Sequence, residues 1–418
     1  MTVISQTRAE APRYPTVLSK QIQWALTRLY TLILSALATI EPMMASTFEK
    51  FNPVRQGAFL MLLIFMMLLL RPWLLLTREL GLYAAFTAYM FITLIWAPSA
   101  FIAMNTLLPA LDFMLLLLLC GSLVAFHDLK GVVMGALGGF LVGALVYTRS
   151  TGFPFVYPPE FPYNAIAGMY LLGLFMTLVF AWYTRWRVIP LLTALMILVL
   201  IAATTSIKTN LGIALGAGAT ALFYSRSFLR IFSRNFLLLS IVGSALIFAV
   251  ISNQAVLERV QFGLDRVSRG VEVLQRREDA ARDTSYADRA DWKNLGIKGW
   301  TRSPLFGNGV EAFRADVGTT SHATPIDLLY NTGVLGIFLF YSLFGSVALR
   351  LLRLHGSELR SLPALIFAGL VCYSFITLSA TMHYNSFLAI YFAVSTGLLA
   401  RLAARPAPAA AAVADARP

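Results

Sequence analysis

A succession of apolar runs, separated by short basic clusters, constrains this chain more than any other feature. The runs lie near 24–42, 54–70, 80–97, 105–126, 131–148, 163–183, 187–205, 209–224, 236–252, 325–349, 362–381 and 384–401. About 20 predominantly apolar residues suffice for a helix to cross a ~30 Å hydrocarbon core. Within a bilayer, backbone N–H and C=O groups must be satisfied inside the segment, so each run is read as a helix. The expected fold is all-α, a polytopic integral membrane bundle of about twelve transmembrane helices. Composition agrees: 58% of the 418 residues are hydrophobic and 13% charged, against about a quarter charged in soluble proteins. The weakest division is between 187–205 and 209–224, where only Ser206–Lys208 intervene.

The expected organisation is a leader at 1–23, helices 1–9 over 24–252, a long loop at 253–324, helices 10–12 over 325–401, and an Ala/Pro-rich, disordered tail at 402–418. Ala36-Leu37-Ala38 faintly resembles a cleavage site, but the leader is long for a signal peptide, so an uncleaved first helix is expected.

Basic residues fix the orientation. With the N-terminus inside and the runs alternating, 18 of the 33 Lys and Arg fall in short inner segments, and only Lys50, Arg55, Arg149 and Lys208 in short outer ones. By the positive-inside rule both termini are cytoplasmic and the long loop lies outside. The net charge of +13 is thereby used for topology, which argues against nucleic acid as a partner and leaves membrane lipid as the surroundings. Cys120 and Cys372 both sit inside apolar runs, so neither a disulfide nor thiol chemistry is expected.

The long loop holds 11 basic and 10 acidic residues. In its first half Leu257, Val260, Leu264, Val267, Val271 and Leu274 form one apolar stripe, so the loop is expected to be partly helical. That helix is expected on the membrane surface or on the span ends, with a dimeric coiled coil as the alternative. From Asp279 to Ser321 the chain turns polar and rich in Gly, Arg and Asp, which suits an irregular segment lining a site.

Ionisable groups near a bilayer are costly and therefore informative. They gather at outer ends: Arg149, Glu160, Lys208, the loop, His322, Asp327 and His383. Lys208 sits in a polar break, Thr204-Thr205-Ser206-Ile207-Lys208-Thr209-Asn210, where a cation and hydroxyls suit a phosphate; a snorkelling lysine is the competing reading. Arg289, flanked by Arg282 and Arg302, reads on its own as part of a solvated, charge-balanced loop. His322 is the loop's only histidine, a residue able to take a proton from an attacking hydroxyl near neutral pH. His383, before Tyr384 and Asn385, reads as an interfacial anchor, and His127 and His355 as structural. Asp112, mid-span, is a buried polar contact of undecided kind. There is no internal repeat, no Gly-rich phosphate loop and no Cys/His metal spacing, so no cofactor and no metal is expected.

Arg289-Ala290-Asp291-Trp292, then Ser303-Pro304-Leu305-Phe306-Gly307-Asn308-Gly309, then His322 and Leu329-Tyr330-Asn331-Thr332-Gly333-Val334-Leu335-Gly336, resemble the O-antigen ligase and polymerase superfamily. The Ser206/Lys208 break looks like that family's outer-face Ser-Arg-Gly segment. The resemblance implies a GT-C-like bundle in a bacterial inner membrane, its active site facing the periplasm. It implies an inverting, metal-independent glycosyltransferase whose donor is an undecaprenyl-diphosphate-linked glycan. Lys208 and Arg289, with Arg149, would then bind the donor diphosphate, and His322 would orient or deprotonate the acceptor hydroxyl. Asp327, His383 and Arg302 would support the site or meet the acceptor. That acceptor is lipid A-core for a ligase, or a lipid-linked glycan for a polymerase. Two positions depart from the pattern: Ala323 follows His322 where Asn is common, and Lys208 replaces Arg, without the bidentate fork. A transporter would need mid-span charges and broken helices in related halves, and Asp112 alone meets the first; a passive scaffold would leave the one-sided polar cluster unexplained.

Overall fold

The computed structural model describes residues 60–64, 76–126, 163–184, 188–204, 206–224, 284–354, 361–378, 380–383 and 385–403, with scattered positions besides. The leader, the 257–274 stripe, Arg149, Glu160, Arg282, His127, His355 and the tail beyond 403 are outside them. Among the described residues the chain is helical and has no strand.

The helices are α1 (Arg78–Thr93), α2 (Ala100–Phe126), α3 (Tyr163–Tyr183), α4 (Val188–Ala203), α5 (Ile207–Phe223), α6 (Thr284–Trp300), α7 (Ala312–Val317), α8 (Thr324–Arg353), α9 (Ser361–Thr377) and α10 (Ser386–Ala403). A 3₁₀ turn, Leu94–Trp96, extends α1. Among the described residues, three helices are long and apolar enough to cross a membrane: Arg78–Trp96, Ala100–Ala125 and Thr324–Arg353. Shorter apolar helices accompany them at Ile166–Trp182, Ile189–Ile201, Leu362–Thr377 and Phe387–Ala403. The eight expected spans from 80 onward that fall on described residues each coincide with a helix to within a few residues. The full count of twelve reaches beyond those residues.

Local chemistry sets several ends. Thr77 caps α1 by accepting the Leu80 N–H at 3.0 Å. Pro325 occupies the first turn of α8, where its missing N–H costs no helical bond. α10 packs most extensively on α2, α9 on α5, α3 on α4, and α8 on α1. Small residues make these approaches close. A Cβ on Gly216 would stand 2.6 Å from the Ala368 carbonyl oxygen, and one on Gly397 2.7 Å from that of Gly121. In lipid, such backbone proximity replaces the hydrophobic drive that joins helices in water. α1 and α8 run antiparallel. Buried Glu79, at the start of α1, accepts from Ser346 at 2.9 Å and from the Arg350 guanidinium at 3.2 Å, both late in α8.

α8 is broken at Gly333, whose φ of 67° and ψ of −166° are accessible essentially only to glycine. The break frees two carbonyls and two N–H groups, and the turn 303–309 takes all four. Asn308 and Gly309 donate their N–H to Tyr330 and Asn331 at 2.8 and 2.9 Å; Pro304 and Leu305 accept from Val334 and Leu335 at 3.0 and 3.2 Å. Tyr89 of α1 closes the joint, its hydroxyl lying 3.0 Å from the Phe306 oxygen and 3.1 Å from that of Thr332. The Pro-Leu-x-Gly-x-Gly and Gly-x-x-Gly elements are thus two halves of one backbone lock.

Two expectations need correction. The 279–321 segment is not irregular throughout, because Thr284–Trp300 forms α6. Its apolar positions follow no stripe; what it buries is glycine, with Gly296 and Gly299 against α8. His383 is not an interfacial anchor. α9 ends at Thr377, and the connection that follows turns into the bundle, where His383 is buried against Phe86 and Phe340. Its carbonyl accepts the Tyr83 hydroxyl at 2.7 Å.

Candidate active site

The α4–α5 break is a hydroxyl-lined turn. Thr204 Oγ1 donates to Ile201 O at 2.7 Å and accepts the Ser206 N–H at 3.3 Å. Ser206 Oγ lies 3.1 Å from Thr209 Oγ1, and both residues are buried. Half-buried Lys208 opens α5 beside them, so its ammonium adds to the positive end of the helix dipole. Such a cation stays at a helix N-terminus only against local electrostatics, which favours an anion there.

α6 brings two groups. Arg289 and Trp292, three residues apart and both half-buried, share one face of this helix. The loop after α7 brings the third. His322 holds a left-handed backbone at φ 56°, one of two non-glycine residues with positive φ among those described. Trp292 lies against its imidazole, with ring centroids 5.2 Å apart and planes at 41°.

Three chain segments therefore act on one imidazole. Burial, then the charge of Arg289, then that of Lys208, lower the His322 pKa from 6.5 to about 4. The ring is neutral at pH 7 and keeps a lone pair for a proton. Burial and these two positive charges together favour the neutral ring.

Asp327, on the first turn of α8, supports this loop rather than lining the cluster. Its Oδ1 accepts the Ser321 N–H at 2.9 Å and its Oδ2 the Thr381 hydroxyl at 2.5 Å. Thr324 joins the same seam: its N–H and hydroxyl donate to Ala380 O at 3.2 and 2.6 Å, and its hydroxyl accepts from Met382 N at 2.9 Å. Arg302 is exposed and acts on Tyr330, whose hydroxyl donates to Asp316 at 2.5 Å. His383 has a packing role. Among the described residues no group of three His, Cys, Asp or Glu could hold a metal.

Sequence reading missed Glu311. This residue is 3% exposed, also has positive φ, and accepts the Thr106 hydroxyl of α2 through Oε1. Its Oε2 has no hydrogen-bond partner among the described residues. Burial raises its pKa; Thr106 and Arg314 pull it back, and Asp327 adds to the rise. The available signal was a lone acid inside Val310-Glu311-Ala312-Phe313, an otherwise apolar stretch. Trp292 enters the sequence pattern only as part of a motif, whereas in the structure its ring lies against the imidazole.

Residues 192–341 match the family model described as O-Antigen ligase. The matched segment contains Lys208, Arg289, Trp292, Glu311, His322 and Asp327. Comparison with curated proteins gives no match.

Proposed function

We propose, from the premise that residues 192–341 belong to the O-antigen ligase/polymerase superfamily, that the chain is an inverting glycosyltransferase acting at the outer face of a bacterial inner membrane. Its donor is a glycan on undecaprenyl diphosphate, and its preferred acceptor is lipid A-core. The observation that carries this reading is the meeting of Lys208 and Arg289 around a neutral His322.

In the reaction an acceptor hydroxyl attacks the anomeric carbon while the bond from that carbon to the phosphate oxygen breaks. The electron pair leaves with the diphosphate, and the hydroxyl proton passes to the imidazole. Lys208 and Arg289 offset the charge that grows on the leaving group. Cations fixed in place before the reaction need no reorganisation, which is why such stabilisation is often the largest catalytic contribution. A donor phosphate beside His322 also raises the imidazole's affinity for a proton, so the base strengthens when the donor is bound. Arg149, outside the described residues, is proposed as a further diphosphate ligand, and Asp327 as the residue that orients the His322 loop.

A polymerase would use the same chemistry on a second lipid-linked glycan. The test is transfer by purified protein in detergent and EDTA, with undecaprenyl-diphosphate glycan, with and without lipid A-core. Product formed only with lipid A-core supports the ligase. Longer lipid-linked glycans formed without it establish the polymerase, and no product from folded, donor-binding protein overturns both.

A further inference from the structure

α6, which carries Arg289 and Trp292, packs on the start of α8 through two glycines. Residues 289, 292, 296 and 299 follow one another at spacings of three and four, so they share one face of α6. Gly296 and Gly299 are buried. A Cβ on Gly296 would stand 2.3 Å from Ile326 Cγ2, and one on Gly299 1.9 Å from Tyr330 Cε2. Ordinary contact needs at least 3.4 Å, so either methyl would push α6 outward by an ångström or more unless its partner moved. Helix propensity works in the other direction, since alanine is much the better helix former. The glycines weaken α6 as a helix and are tolerated because of where they let it sit.

We propose that Gly296 and Gly299 are positioning residues that dock α6 on α8 and thereby hold Arg289 and Trp292 against His322. This rests on the reading of His322 and Arg289 as site residues. Trp292 also packs on the Ala312–Phe313–Tyr330 cluster, so the same contact fixes the helix laterally. Displacing α6 withdraws a cation and an aromatic wall from the imidazole together, while Lys208 on α5 stays in place.

The experiment compares Gly296→Ala, Gly299→Ala, the pair Gly296→Ala/Ile326→Ala, and Gly345→Ala as control, since a Cβ at Gly345 meets nothing within 4 Å. The His322 imidazole is titrated by NMR in substrate-free protein, its resonance assigned by loss in His322→Ala. Each single glycine variant is expected to move the midpoint upward from about 4, by about one unit as Arg289 recedes. Transfer should fall on the order of 100-fold, the usual cost of an ångström of misplacement. The paired variant, which removes the very atom that Gly296→Ala would strike, should restore both, and Gly345→Ala should change neither. An unmoved midpoint in a folded single variant, or no recovery in the pair, overturns the inference. If Gly299→Ala does not fold, the milder Gly296 series decides alone. Because the titration needs no substrate, it distinguishes failure of this docking role from failure of the glycosyltransferase reading, which undiminished transfer by His322→Ala would reveal.

Discussion

His322 was singled out from sequence by isolation and chemistry, but its environment could not be. Nothing in the spacing of residues 208, 289 and 322 says that two cations reach one imidazole, because that depends on how α5, α6 and the post-α7 loop pack. Glu311 was invisible for a related reason: one acid among apolar neighbours has no period. The lowered pKa of His322 has a consequence for stability. Its folded value, about 4, lies below the ordinary 6.5, so below pH 6.5 the unfolded chain binds a proton first. Stability is therefore full above pH 6.5 and is lost as pH falls towards 4. The groups that face this imidazole are Arg289 from α6 and Lys208 from α5. Adding donor should raise the NMR titration midpoint of His322, because the diphosphate offsets both charges. A midpoint unchanged by saturating donor would remove the diphosphate from this cluster.

At the scale of elements, the legible parts were those that announce themselves by hydropathy. α3 coincides with its expected span at both ends, 163–183, since a helix buried on every side in the bundle is apolar throughout. α6 was not legible, because its charged residues, its two glycines and the lack of an apolar stripe suggest a loop unless the partner surface is known. The broken α8 was read as a continuous span. Its Gly-x-x-Gly element was noticed as a pattern, and the structure supplies the reason, a left-handed joint that hands its unpaired backbone groups to the 303–309 turn. Gly333→Ala should therefore be severe. A Cβ would lie 2.4 Å from the Leu305 oxygen, and the backbone there is forbidden to alanine. A loss of more than about 2 kcal/mol is expected, read as thermal unfolding in detergent, with Gly345→Ala unchanged or slightly stabilised. Equal midpoints for the two variants would show that the lock contributes nothing.

For the whole molecule, membrane residence and the all-helical class were legible because solvent acts on the entire composition. The site was legible only as a side: polar and ionisable residues gather at the ends of runs that the positive-inside rule puts outside. Whether they converge is a property of the fold, and the structure puts Lys208 and Arg289 within electrostatic reach of His322 while leaving Arg302 exposed and His383 buried. The most direct measurement is glycan transfer from undecaprenyl diphosphate to lipid A-core by wild type and His322→Ala, each with donor affinity measured on the same preparation. Losing the group that receives the acceptor proton should slow transfer about 100-fold or more, with donor affinity within a few-fold of wild type. Transfer by His322→Ala at the wild-type rate would contradict the account.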